Sequence, residues 1–192
     1  MRGNLDCLHF PLTGYPSCDI QEWERIFRIY KSYGLNHVRF HSWCPPEAAF
    51  TAADRIGIYI QAEVLWIDWW MSVVRKERPE MTTRGLPKGL GHNPSADKFV
   101  PEELQRMIEA YGNHPSFTML CIGNELGNSN FDIMQQWIKS LQEKDPRRLY
   151  AISTARKIMP ADQYMVTHNI PQTGGTYGIN GSGTDNDRES IY

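Results

Sequence analysis

Apolar positions along the chain switch repeatedly between a helical and an extended period. In "DIQEWERIFRIYKSY" (19–33), Ile20, Trp23, Phe27 and Tyr30 recur at the spacing of one helix face. Asp19 followed by Glu22 has the form of a capping box, and Gly34 can close the helix in a left-handed turn. The period then shortens to two in "LNHVRFHSW" (35–43), where Asn36, Val38 and Phe40 oppose His37, Arg39 and His41. "PPEAAFTAADRIG" (45–57) returns to helix, with prolines at its entry and Gly57 at its end, and "IYIQAEVL" (58–65) is a β-branched strand. The same alternation predicts helices over 100–115, with Pro101 suited to the first turn, and over 130–146. It predicts strands over 116–123 and 149–154, a weaker one over 164–169, and another in the opening "RGNLDCLHF".

Strands alternating with helices predict a parallel sheet covered by helices, the α/β class. A Gly- and Pro-rich stretch over 66–98 predicts a long loop, functional or disordered, and 174–190 reads as polar loop. Neither an internal repeat nor an interdomain linker is visible. At 192 residues the chain is long enough for one domain but short for a complete α/β barrel. A net charge of −2 excludes the basic footprint of a nucleic-acid binder, and no apolar run approaches the roughly 18 residues of a membrane span. Cys7, Cys18, Cys44 and Cys121 show no C-x-x-C spacing, so neither a zinc site nor a disulfide framework is expected.

Chemistry-bearing side chains collect where the strands end, the face that carries active sites in parallel α/β folds. Arg39 and His41 end one strand, Glu63 the next, Asn124 and Glu125 the next, and His168 the weakest. Any one of these can be a structural hydrogen bond, and Glu63 can simply pair with Arg39, since a buried charge requires a partner. Glu125 follows Ile122-Gly123, and a carboxyl in such a cleft can have its pKa raised and serve as a proton donor. It can equally cap the helix that follows. Asn124 could bond a substrate hydroxyl. Trp66, Trp69 and Trp70 could stack on a sugar ring or pack the long loop.

"GLNHVRFHSWCPPEAAFTAADRIGIYIQAE" (34–63) resembles the barrel signature of glycoside hydrolase family 2, and "YGNHPSFTMLCIGNELG" (111–127) resembles its second signature. The resemblance implies an eight-stranded (β/α) TIM barrel, of which about five to six strands are present, and a retaining exo-acting β-glycosidase on a carbohydrate substrate. It implies that Glu125 is the general acid/base, that Asn124 bonds the sugar 2-hydroxyl, and that Arg39 and Glu63 shape the pocket floor. His41, Trp66 and His168 complete the expected substrate-binding set.

Three departures accompany it. The histidine after the second strand is shifted by one position in Arg39-Phe40-His41-Ser42. Leu65 stands where metal-binding members carry histidine, so no metal and no cofactor are expected. Retaining hydrolysis requires a second carboxylate about 5 Å from the first, and the family's nucleophile ends a later strand. Glu189 lies in polar sequence with no strand before it and does not substitute. The expectation is therefore a segment of a larger enzyme, inactive alone, lacking preceding β-sandwich domains and the last barrel strands. Two alternatives are a metal-dependent sugar isomerase, with Glu63, Glu125 and His168 as ligands, and a carbohydrate-binding module without chemistry.

Overall fold

The computed structural model describes residues 1–64, 89–126, 129–154 and 157–164. In chain order they form β1 (Gly3–Asp6), α1 (Ile20–Ser32), β2 (His37–Phe40), α2 (Glu47–Ile56), β3 (Tyr59–Glu63), α3 (Pro94–Tyr111), β4 (Phe117–Asn124), α4 (Phe131–Lys144) and β5 (Leu149–Thr154). The strands make one sheet in the order β1-β2-β3-β4-β5, and every neighbouring pair is parallel. This is the unrolled order of a (β/α) barrel, in which each strand pairs with the next along the chain.

The sheet has two different sides. Val38, Phe40, Ile60, Ala62, Leu120, Ile122, Tyr150 and Ile152 meet Trp23 and Phe27 of α1, Phe50 of α2, Leu104 of α3 and Ile138 of α4 in one apolar core. Fully burying each large apolar side chain contributes about 1.5–3 kcal/mol. The alternate positions carry polar groups instead: His37, Arg39, Gln61 and Glu63 are buried on β2 and β3. Met119 and Cys121 of β4 form a separate small cluster with Ala151 and Tyr164. Burial on both sides is what a parallel sheet demands.

Helix ends follow local chemistry, with two corrections to the sequence reading. Asp19 caps α1 by accepting from Gln21 N at 2.9 Å, but Glu22 does not complete a capping box. Its carboxylate is held by Arg25 at 2.6 and 2.8 Å, and the Asp19 N–H is taken by Ser17 Oγ at 3.0 Å instead. The third helix starts at Pro94 rather than Val100, because Asn93 is its N-cap and Asp97 folds back onto Gly91 N (2.6 Å) and Asn93 N (3.1 Å). Pro101 thus lies inside the helix, where it cannot donate to the preceding turn. Gly57 ends α2 at φ 77°, as expected of a left-handed cap. The weak strand over 164–169 lies outside the described residues after Tyr164, as does most of the 66–98 loop.

The foot of β4 is clipped to α2. Asp54 bonds His114 Nδ1 at 2.6 Å and accepts from Ser116 N at 2.9 Å, while the His114 ring stacks on Phe50 at 5.5 Å.

Candidate active site at the strand ends

At the opposite, C-terminal end of the strands, the alternation that buries polar groups converges on one network. Arg39 of β2 and Glu63 of β3 form a bidentate ion pair, Nε to Oε1 at 2.6 Å and Nη2 to Oε2 at 3.2 Å. Their side chains are 4% and 0% exposed. Such a pair survives burial only if its remaining hydrogen-bonding capacity is filled. Here it is: Glu63 Oε1 also accepts from Gln61 Nε2 at 2.9 Å, and Oε2 accepts from Ser42 N at 2.8 Å. Four donors thus fill the carboxylate, which leaves it no lone pair to offer a metal.

The same guanidinium reaches β4. Arg39 Nη2 donates to Asn124 Oδ1 at 2.9 Å. An arginine only donates, so the amide must turn its oxygen inward, and its Nδ2 remains a donor for something else. Asn124 is the last residue of β4, and Glu125 follows it at φ 53° in the left-handed region, half-buried. Leu126, fully buried, donates its N–H to Ser153 Oγ on β5 at 3.0 Å.

Among the described residues, three non-glycine positions have positive φ: Leu8 (61°), Ser42 (60°) and Glu125 (53°). Each lies one or two residues beyond the end of a strand, β1, β2 and β4. Backbone of this kind costs of order 1–3 kcal/mol per residue, persists only where surroundings enforce it, and clusters at working sites. The enforcement is visible. Asp6 Oδ1 accepts from Leu8 N at 2.9 Å, and Glu63 holds Ser42 N. The loop after β2 is also tied to β1, by His41 N and Trp43 Nε1 donating to Asp6 O at 2.9 and 3.1 Å.

Burial is the main electrostatic influence around the ion pair. It pushes the thiols of Cys7 and Cys121 up, with Glu63 adding to the shift and Arg39 opposing it. Both cysteines stay protonated near neutrality. His37, fully buried two residues before Arg39, is drawn down to about 4, by burial first, with the Arg39 charge adding to the shift. It is a neutral imidazole at pH 7.

Of the residues singled out in the sequence, Arg39, Glu63 and Asn124 share one hydrogen-bonded network, and Glu125 is joined to it through Asn124. His41 is half-buried beside them at the end of β2. Trp66 and His168 lie outside the described residues. Three participants were not anticipated: Gln61, Ser42 and Ser153. Gln61 had a signal, a polar residue two before Glu63 in an apolar strand, hence on its face. Ser42 acts through its backbone and Ser153 through a contact 27 residues away, and neither leaves a local mark.

The model of the glycosyl hydrolases family 2 TIM barrel domain matches residues 14–170. The chain belongs to glycosyl hydrolase family 2. A β-galactosidase of Leuconostoc mesenteroides is 27% identical over 123 residues, covering 62% of this chain and 10% of that protein. Among solved structures, a Parabacteroides merdae β-glucuronidase shares the fold with a TM-score of 0.60 at 21% identity, over 81% of this chain and 18% of the other. A family 2 member from Bacteroides cellulosilyticus superimposes with a TM-score of 0.61 at 22% identity, over 86% and 20%. The chain spans about a tenth of the length of the curated relative and about a fifth of those structures. The family is that of the TIM barrel, and the five parallel strands are its consecutive β/α units.

Proposed function

We propose that this chain carries the acid/base half of a retaining, exo-acting β-glycosidase that cleaves β-linked carbohydrates. The observation that carries it is the pair Asn124-Glu125 at the end of β4, with Asn124 held by the buried Arg39–Glu63 pair and Glu125 in a strained left-handed turn. Glu125 protonates the departing glycosidic oxygen, then deprotonates the water that releases the glycosyl-enzyme. Asn124 donates through Nδ2 to the hydroxyl next to the reacting carbon. Arg39 and Glu63 position that amide, and His41, Trp66 and His168 are substrate contacts.

On this reading the nucleophile lies elsewhere in the full enzyme, since among the described residues neither of the other strand-end carboxylates supplies it. Retaining hydrolysis requires a carboxylate about 5 Å from the acid/base. Glu63 is fully engaged by four donors, and Asp6 pairs in register with Phe40, on the helix side of β1. The small share of its relatives' length that the chain spans supports the same reading. Residues 1–192 alone should therefore not turn over nitrophenyl β-glycosides, and robust turnover by them would overturn this part. In the active enzyme, Glu125→Gln should cripple hydrolysis of alkyl glycosides, which need leaving-group protonation, far more than that of dinitrophenyl glycosides. Equal losses refute the acid/base role. The metal-dependent isomerase reading is disfavoured by Glu63, whose lone pairs are taken. Activity abolished by a chelator and restored by a divalent metal would revive it.

A further inference from the structure

Along β4, Met119 and Cys121 face the barrel side, whereas Leu120 and Ile122 face the helices. Strict alternation would send Asn124 after Ile122 to the helix side and leave only Glu125 facing the barrel. Yet Asn124 Oδ1 accepts from Arg39, which stands on the barrel side of β2, opposite Val38 and Phe40. Asn124 therefore departs from strict alternation at the strand's last residue, although β4 and β5 keep register through Asn124↔Thr154, and the next residue, Glu125, takes φ 53°. Two side-chain hydrogen bonds flank that residue. Upstream is Arg39 to Asn124 at 2.9 Å, and downstream is Leu126 N to Ser153 Oγ at 3.0 Å. Ser153 reaches over from β5, where it stands in register with Gly123.

Resting on the acid/base reading above, we propose that Ser153 is a positioning residue for Glu125. By accepting the Leu126 N–H it holds the left-handed turn at Glu125: with Asn124 already turned to Arg39 on the barrel side, ordinary extended backbone would send the next side chain to the other side. Without the hydroxyl, the Leu126 amide loses this acceptor and the turn can relax toward ordinary extended backbone. The Glu125 carboxyl then moves from the glycosidic oxygen, while Asn124 keeps its bond to Arg39. Misplacing a catalytic group by about 1 Å can cost on the order of a hundredfold in rate.

The test is leaving-group dependence in the active enzyme. Ser153→Ala should lower kcat for an alkyl β-glycoside by about tenfold or more, with KM little changed, and leave a 2,4-dinitrophenyl β-glycoside nearly unaffected. Ser153→Thr retains the γ-oxygen and suits a strand, so it should restore the alkyl rate. Equal losses on both substrates, as general destabilisation would give, overturn the proposal, and so does no loss on either. Should Ser153→Ala not fold, Ser153→Cys, with a weaker acceptor of similar size, allows the same comparison. Glu125→Gln is measured alongside. Leaving-group dependence there but none at Ser153 removes this inference alone, while its absence at Glu125 removes the acid/base reading itself.

Discussion

Replacing Glu63 by glutamine changes one atom and should cost a large part of the protein's stability. The carboxylate receives Arg39 Nε and Gln61 Nε2 on one oxygen and Arg39 Nη2 and Ser42 N on the other. A glutamine amide has one accepting oxygen, so either orientation turns an NH₂ group toward an arginine N–H. Arg39, 3% exposed, is also left as a buried cation without its counter-ion. Breaking a buried pair from one side costs about 3–5 kcal/mol. For a chain of this length that lowers Tm by roughly 10 °C. Thermal unfolding followed by circular dichroism reads this directly. A cycle of Arg39→Met, Glu63→Met and the double variant should show the singles to be non-additive by about 0.5–3 kcal/mol, because the second change removes the charge stranded by the first. A Glu63→Gln loss below about 1 kcal/mol, the scale of one ordinary hydrogen bond, would refute the four-donor account.

Other expectations are independent of that pair. His37 is drawn down to about 4 in the folded state from an ordinary value of 6.5, so between those limits only the unfolded chain takes up the proton. Its contribution is whole above pH 6.5 and fades as pH falls toward 4, by up to about 3 kcal/mol; His37→Gln should flatten urea-unfolding stability between pH 7 and 4.5. Gly57→Ala meets nothing closer than Lys31 Nζ at 3.6 Å and should cost only its left-handed backbone, about 1 kcal/mol. Gly91→Ala should cost clearly more in the same denaturation assay, since its Cβ would stand 2.5 Å from Asn130 Cβ, at the N-cap of α4. Asp54→Ala removes the clip on His114 and Ser116 and should lower stability by about 1–2 kcal/mol without altering leaving-group dependence.

The sequence read well where local periodicity and end signals coincide. α2 lies between its prolines and Gly57, and five of the predicted strands pair in the order that alternation with helices implies. It misplaced the start of α3 because Pro101 looks like a first-turn proline, whereas Asn93, Pro94 and Asp97 together form the stronger start signal. It anticipated a capping box at Glu22 because spacing says nothing of Arg25, which competes for the same carboxylate. In the site, Arg39, Glu63 and Asn124 were visible as polar residues at apolar strand ends. That Glu63 accepts a backbone N–H from Ser42, or that Ser153 receives one from Leu126, depends on where chain distant in sequence returns, which periodicity does not encode.

The clip at the foot of β4 and the turn at its head give the strand a further property. Ser116 is anchored to Asp54 below, and Asn124 is gripped by Arg39 above, with β4 spanning Phe117–Asn124 between them. The span acts as a gauge of fixed length, about 25 Å at the usual rise per residue. Deleting or inserting one residue within it would exchange its two faces, sending Cys121 toward the helices and Leu120 toward the barrel. It would also lift or drop the head relative to Arg39 by about 3.3 Å, more than a hydrogen bond can absorb. The number of residues in this strand is thus constrained as tightly as their identity, and a change in length there should be harsher than any single substitution along it.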